Sequence, residues 1–175
     1  MRSRRREMRT NIGSFGARLT RDQTVADGVW TKVAFNEVGW DTTGGFDPDT
    51  GGYMAGHAGK LHFATGVRFL APDVPSRYVD LLLYKNGEPL ERLTPDGPFT
   101  KPDSVSLAST ETPWAEYVRG FSRGEVVGNP GDLFGIYVRH DFGESADLTL
   151  RSPDPENERT AADRHPIYFM GLWHA

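Results

Sequence analysis

The 175-residue chain has no cysteine, which removes disulfides, thiolate zinc sites, iron–sulfur clusters and cysteine nucleophiles together. That composition suits folding in a reducing compartment. Long apolar runs are also missing, and none approaches the ~20 residues of a membrane-spanning helix. Arginines near the N-terminus are followed by no apolar segment, so export through a signal peptide is not expected. Lysine is scarce, four against sixteen arginines, and the net charge of −4 argues against general coating of nucleic acid. No window sustains a helical period of 3.6 residues, and no nucleophile elbow, P-loop or dinucleotide fingerprint occurs. A catalytic role therefore has no residue to carry it.

What is present is strand and turn chemistry. Glycine and proline make up 32 of 175 residues, against a usual ~12%, and they are scattered singly as turn punctuation. Leu61, Phe63, Val67 and Phe69 share one parity and His62, Gly66 and Arg68 the other, which is the period of a half-buried strand. Residues 78–84 are apolar on both parities, so the outer face of that strand is expected to be covered as well. Asn86-Gly87 follows at once, a strong hairpin signal. Further strands are expected at Ala17 to Leu19, Val29 to Phe35, Tyr117 to Arg123, Asp132 to His140 and Ile167 to Trp173, with a short one at Ser104 to Ala108 inside a long 94–113 loop. Asp41 to Gly52 reads as dense turn chemistry. The expected result is an all-β sandwich or barrel occupying 12–175, behind a basic arm of residues 1–11 that carries Arg2, Arg4, Arg5, Arg6 and Arg9.

Four landmarks resemble the C1q/TNF-like superfamily, its bacterial and phage branch in particular. Phe15 to Phe35 is similar to the opening strand, loop and second strand. Phe46-Asp-Pro-Asp-Thr-Gly-Gly-Tyr53, followed by Gly59-Lys-Leu-His-Phe63, is similar to "YDPxTGxF" and "GxYxF". Lys85-Asn-Gly-Glu-Pro-Leu90 is similar to "KNGEPV". Gly131-Asp-Leu-Phe-Gly-Ile-Tyr-Val138 and the closing Tyr168-Phe-Met-Gly-Leu-Trp173 resemble "GDxVxVxV" and "FSGxxL". No Gly-X-Y stem precedes the domain, and the 94–113 segment exceeds the family minimum.

The resemblance implies a jelly roll of about ten antiparallel strands that assembles as a compact homotrimer. The sheet holding the first, last and Gly59-to-Leu70 strands would face the threefold axis. Candidate interface residues are His62, Phe169, Leu172 and Trp173; three copies of His62 near the axis would suit an ion or a pH response. Trp40, Tyr53 and Trp114 lie in or near loops and are candidates for stacking on a sugar ring. Asp41, Asp47 and Asp49 could offer oxygen ligands to Ca²⁺, but their spacing is not that of an EF-hand and ordinary turn roles outweigh it. The five histidines, His57, His62, His140, His165 and His174, show no zinc spacing. The function expected is a non-catalytic module on a tailed-phage virion surface, a capsid decoration protein or short-fibre head whose arginine arm docks on a protein lattice. The alternative is host recognition or carbohydrate binding on a tail fibre or bacterial surface.

Overall fold

The computed structural model describes residues 11–70, 78–90, 105–106, 117–140, 148–150 and 167–174. They form fourteen extended segments and no helix: β1 (Asn11–Arg18), β2 (Gln23–Val25), β3 (Thr31–Lys32), β4 (Glu37–Asp41), β5 (Phe46–Asp47), β6 (Gly52–Met54), β7 (Gly59–Leu70), β8 (Tyr78–Lys85), β9 (Glu88–Pro89), β10 (Val105–Ser106), β11 (Tyr117–Gly128), β12 (Leu133–His140), β13 (Leu148–Leu150) and β14 (Tyr168–His174). Seven segments are only two or three residues long, which separates fourteen from the ten expected. Every pairing is antiparallel.

Two sheets of seven strands result. In the first, β7 lies between β11 and β14, and β1 follows β14 with β4 at the edge. The short β13 touches the far end of β7 and carries β2. In the second, β12 lies between β8 on one side and β6 and β3 on the other. First, last and Gly59-to-Leu70 strands thus share one sheet, as the resemblance implied.

Period-2 patterning decides what each strand buries. Leu61, Phe63 and Val67 of β7, Phe15 and Ala17 of β1, and Phe169 and Trp173 of β14 all point between the sheets. Phe134, Ile136 and Val138 of β12 and Leu81 and Leu83 of β8 meet them from the other side. The centre is aromatic: the Phe15 and Tyr53 rings stack at 4.1 Å, and Phe169 stands edge-on to Phe15 at 5.0 Å. Trp173 closes one end against Tyr53 and Phe134, at 6.2 and 6.1 Å. Gly171 is required for this packing, because a Cβ there would collide with the Phe15 ring and reach within 2.7 Å of Leu61 Cδ1.

The Asn86-Gly87 hairpin forms as expected, with both residues at positive φ, 55° and 84°, the twist that suits a two-residue turn. Asn86 also anchors the neighbouring turn: its Nδ2 donates to Asp132 Oδ1 at 2.8 Å, and Leu133 N–H donates to its Oδ1 at 2.8 Å. Lys85 Nζ lies 2.7 Å from Asp132 Oδ2. The Val29-to-Phe35 strand pairs only at Thr31–Lys32, with Val33 N–H adding a bond to Ile136 O. Asn11, assigned above to the arm, belongs to β1.

Candidate interaction surfaces

The strands that send Phe15, Leu61 and Phe169 inward must send their alternate residues outward. On the outer face of the first sheet, register places Met170 opposite both Ala64 and Gly16, and Gly16 opposite Trp40. Ala64, Met170, Gly16 and Trp40 therefore form one row across four strands. Trp40 lies over Gly16, whose missing Cβ makes the room. The indole stays 48% exposed and Met170 36%. One row along, Leu172 sits half-buried between His62 and Ser14. Val38, also exposed, extends the apolar edge along β4.

This row has a polar end. Glu125 on β11 faces His62 and Lys60 on β7: its Oε2 lies 2.8 Å from His62 Nε2 and its Oε1 2.6 Å from Lys60 Nζ. The His174 ring stands edge-on to His62 at a centroid distance of 5.1 Å. At the opposite end Arg18 pairs with Glu37.

The outer face of the second sheet carries a different cluster. Tyr84 and Tyr137 stack at 3.8 Å, Trp30 lies 6.2 Å from Tyr84, and the Arg139 guanidinium sits 4.9 Å over the Trp30 ring. Leu82 and Tyr84 on the outer side of β8 are half-buried, shielded in part by this cluster, and not covered as the two-sided apolar pattern led one to expect. The Lys32 side chain lies across Gly135. Burial pushes the Lys32 ammonium below the usual lysine range, against the opposing pull of Asp47. Sequence reasoning missed this ridge, because Trp30, Tyr84 and Arg139 meet only through strand order.

Several expected sites are corrected. Phe169 and Trp173 are 0% and 2% exposed, packed in this chain's own core, and cannot meet another copy. Of the four interface candidates, His62 and Leu172 alone lie on the outer face. Tyr53 is 1% exposed, with its ring on Phe15 and its hydroxyl 3.0 Å from Thr43 Oγ1, so it cannot stack on a sugar. Trp40 is the member of that set found exposed. Trp114, most of the 94–113 loop and the five arginines of the arm lie outside the described residues.

The aspartates serve the turn. Asp41 Oδ1 accepts from Thr43 N–H, Thr43 Oγ1–H and Gly44 N–H at 2.8, 2.7 and 2.9 Å, and its Oδ2 from Phe46 N–H at 2.7 Å. Asp47 accepts from Asp49 N–H and Thr50 Oγ1–H, both at 2.9 Å. Asp41 and Asp47 thus brace the turn through their own backbone and hydroxyl donors, and among the described residues no group of three or more metal-binding side chains comes together. Burial opposes ionisation of Asp41, but the donors from Phe46, Thr43 and Gly44 outweigh it and hold the carboxyl below its usual range. With the folded pKa depressed, this contribution is present above the unfolded value and lost as pH falls through the folded one. Asp41→Ala is expected to cost about 2 kcal/mol at neutral pH and that penalty to shrink as pH falls below the ordinary carboxylate range, measured by urea denaturation at neutral and at acid pH.

Buried His140 was not singled out by sequence. Its Nε2 lies 2.7 Å from Val25 O and its Nδ1 3.2 Å from Asp27 Oδ1, tying the end of β12 to the β2 loop.

No family model matches the chain, and no curated protein matches it in sequence. Solved structures match in fold. The murine APRIL structure at pH 8.5 has 12% identity and a TM-score of 0.53, covering 93% of this chain and 98% of that one. At pH 5.0 the same protein gives 14% identity, a TM-score of 0.53 and the same coverage. The globular domain of the zebrafish complement 1qA protein covers 91% and 94% at 11% identity, with a TM-score of 0.48.

Proposed function

We propose that this C1q/TNF-type jelly roll is a non-catalytic binding module that assembles as a homotrimer through the outer face of its first sheet. The observation that carries this reading is the row of Ala64, Met170, Gly16 and Trp40. Small residues make its floor flat, and an exposed indole and thioether stand beside them. Tryptophan and methionine are enriched at interfaces, and such a face gains most by burial against a copy of itself. In a closed trimer the ridge of Trp30, Tyr84, Tyr137 and Arg139 turns away from the axis toward other partners. Its aromatic and arginine composition is that of an interface hot spot.

The setting that fits best is a tailed-phage virion surface, as a capsid decoration protein or short-fibre head made in the host cytoplasm. Support comes from the motif resemblance to the phage and bacterial branch and from the arginine cluster at 2–9, whose charge suits an acidic lattice. Purified protein mixed with undecorated capsids is expected to be taken up at a fixed stoichiometry, and Tyr84→Ala to lower that uptake at least tenfold. Absence of saturable uptake contradicts the decoration reading. A second reading, glycan recognition, is favoured by the exposed indole of Trp40. Saturable binding on a glycan array, lost in Trp40→Ala, would support it.

A further inference from the structure

The polar end of the first sheet's outer face gathers four ionisable side chains from three strands. Lys60 and His62 come from β7, Glu125 from β11 and His174 from β14. Glu125 is the one carboxylate they share, and both its oxygens are engaged, at 2.6 Å to Lys60 and 2.8 Å to His62. The two imidazoles stand 5.1 Å apart, centroid to centroid. His174 Nδ1 is shielded from solvent with no hydrogen-bond partner among the described residues. Neighbouring strands bring little charge to this end: β14 presents Leu172, paired with His62, and β1 presents Ser14 on its other side. On the described part of the face the other charged side chains, Arg18 and Glu37, neutralise each other at its far end, where Tyr168 also lies.

We propose that this patch makes assembly pH-sensitive, with proton uptake by His62 and His174 separating the copies as pH falls from 8 to 5. The inference rests on the reading that copies meet through this face. Imidazoles as a class change charge between pH 5 and 8. With both neutral, Lys60 and Glu125 cancel and the patch can be buried at modest cost. With both protonated, three cations face one carboxylate in every chain. A closed cyclic assembly brings identical patches close together, so the excess positive charge is repeated against itself. Burying a charged imidazole also costs more than burying a neutral one. Both effects favour proton binding by separated chains over assembled ones, so association weakens as pH falls.

The test is sedimentation velocity of the full chain at pH 8, 7, 6 and 5, with circular dichroism at each pH to establish folding. Wild type is expected to change from assembly to single chain, its dissociation constant rising on the order of 100-fold. His62→Gln/His174→Gln is expected to stay assembled at pH 5 with less than a threefold change, and His174→Gln alone to fall between them. Two results overturn the proposal: wild type equally assembled at pH 8 and pH 5, or a folded double variant that dissociates as wild type does. A wild type that is already a single chain at pH 8 overturns the self-association reading itself, and the proposal with it.

Discussion

Phe169→Ala is expected to cost about 4 kcal/mol of folding stability, the upper range for removing a large buried side chain. Phe169 is fully buried and touches three other rings: Phe15 at 5.0 Å, Phe35 at 5.8 Å and Phe46 at 6.4 Å. These come from β1, the β3–β4 link and β5, so the cavity would open where both sheets meet. Against a total stability of ~5–15 kcal/mol for a typical domain, such a loss leaves the chain marginal. Urea denaturation followed by tryptophan fluorescence at low protein concentration would show a midpoint shifted down by more than 1 M. An unchanged midpoint with impaired association would return Phe169 to an interface and contradict the core described here.

Met170→Arg separates folding from assembly. The Met170 side chain points outward and is partly exposed, so a charge there should change single-chain stability by no more than about 0.5 kcal/mol. Across a self-interface the same charge would sit between Ala64 and Gly16, repeated in every copy. An unpaired buried charge is among the costliest changes an interface can suffer. The dissociation constant is expected to rise by at least ~100-fold, while circular dichroism and the urea midpoint stay near wild type.

Much of the fold was legible because period-2 patterning is local. The strands β7, β12 and β14 and the Asn86-Gly87 hairpin follow directly from parity and turn chemistry. Three strands were not anticipated, β2, β4 and β13: Gln23-Thr-Val25 and Glu37-Val-Gly-Trp-Asp41 show no clean alternation, and Leu148-Thr-Leu150 is too short to establish a period. Edge strands of this kind are held by pairing and not by a buried face. Within the Asp41-to-Gly52 turn region, β5 and the start of β6 were hidden by glycine and aspartate, yet Phe46 pairs with Tyr53 there and helps fill the core.

The proposed interface was half legible for a physical reason. Phe169, Leu172 and Trp173 stand together on an apolar terminal strand that the resemblance sets toward the threefold axis. They have mixed parity: Phe169 and Trp173 point into the core, and Leu172 points outward with Met170. Counting hydrophobic residues found the strand, but only register across β7, β1 and β4 located the apolar row and its histidine end. The second-sheet ridge was further out of reach, since its members lie on segments far apart in the chain.

Self-association through the first sheet's outer face is the central claim, and sedimentation equilibrium at about 10 μM and pH 8 tests it most directly. Wild type is expected at three times the 19.5 kDa of one chain, and folded Met170→Arg at the mass of a single chain. A wild type that sediments as one chain, or a Met170→Arg protein that remains trimeric, would contradict it.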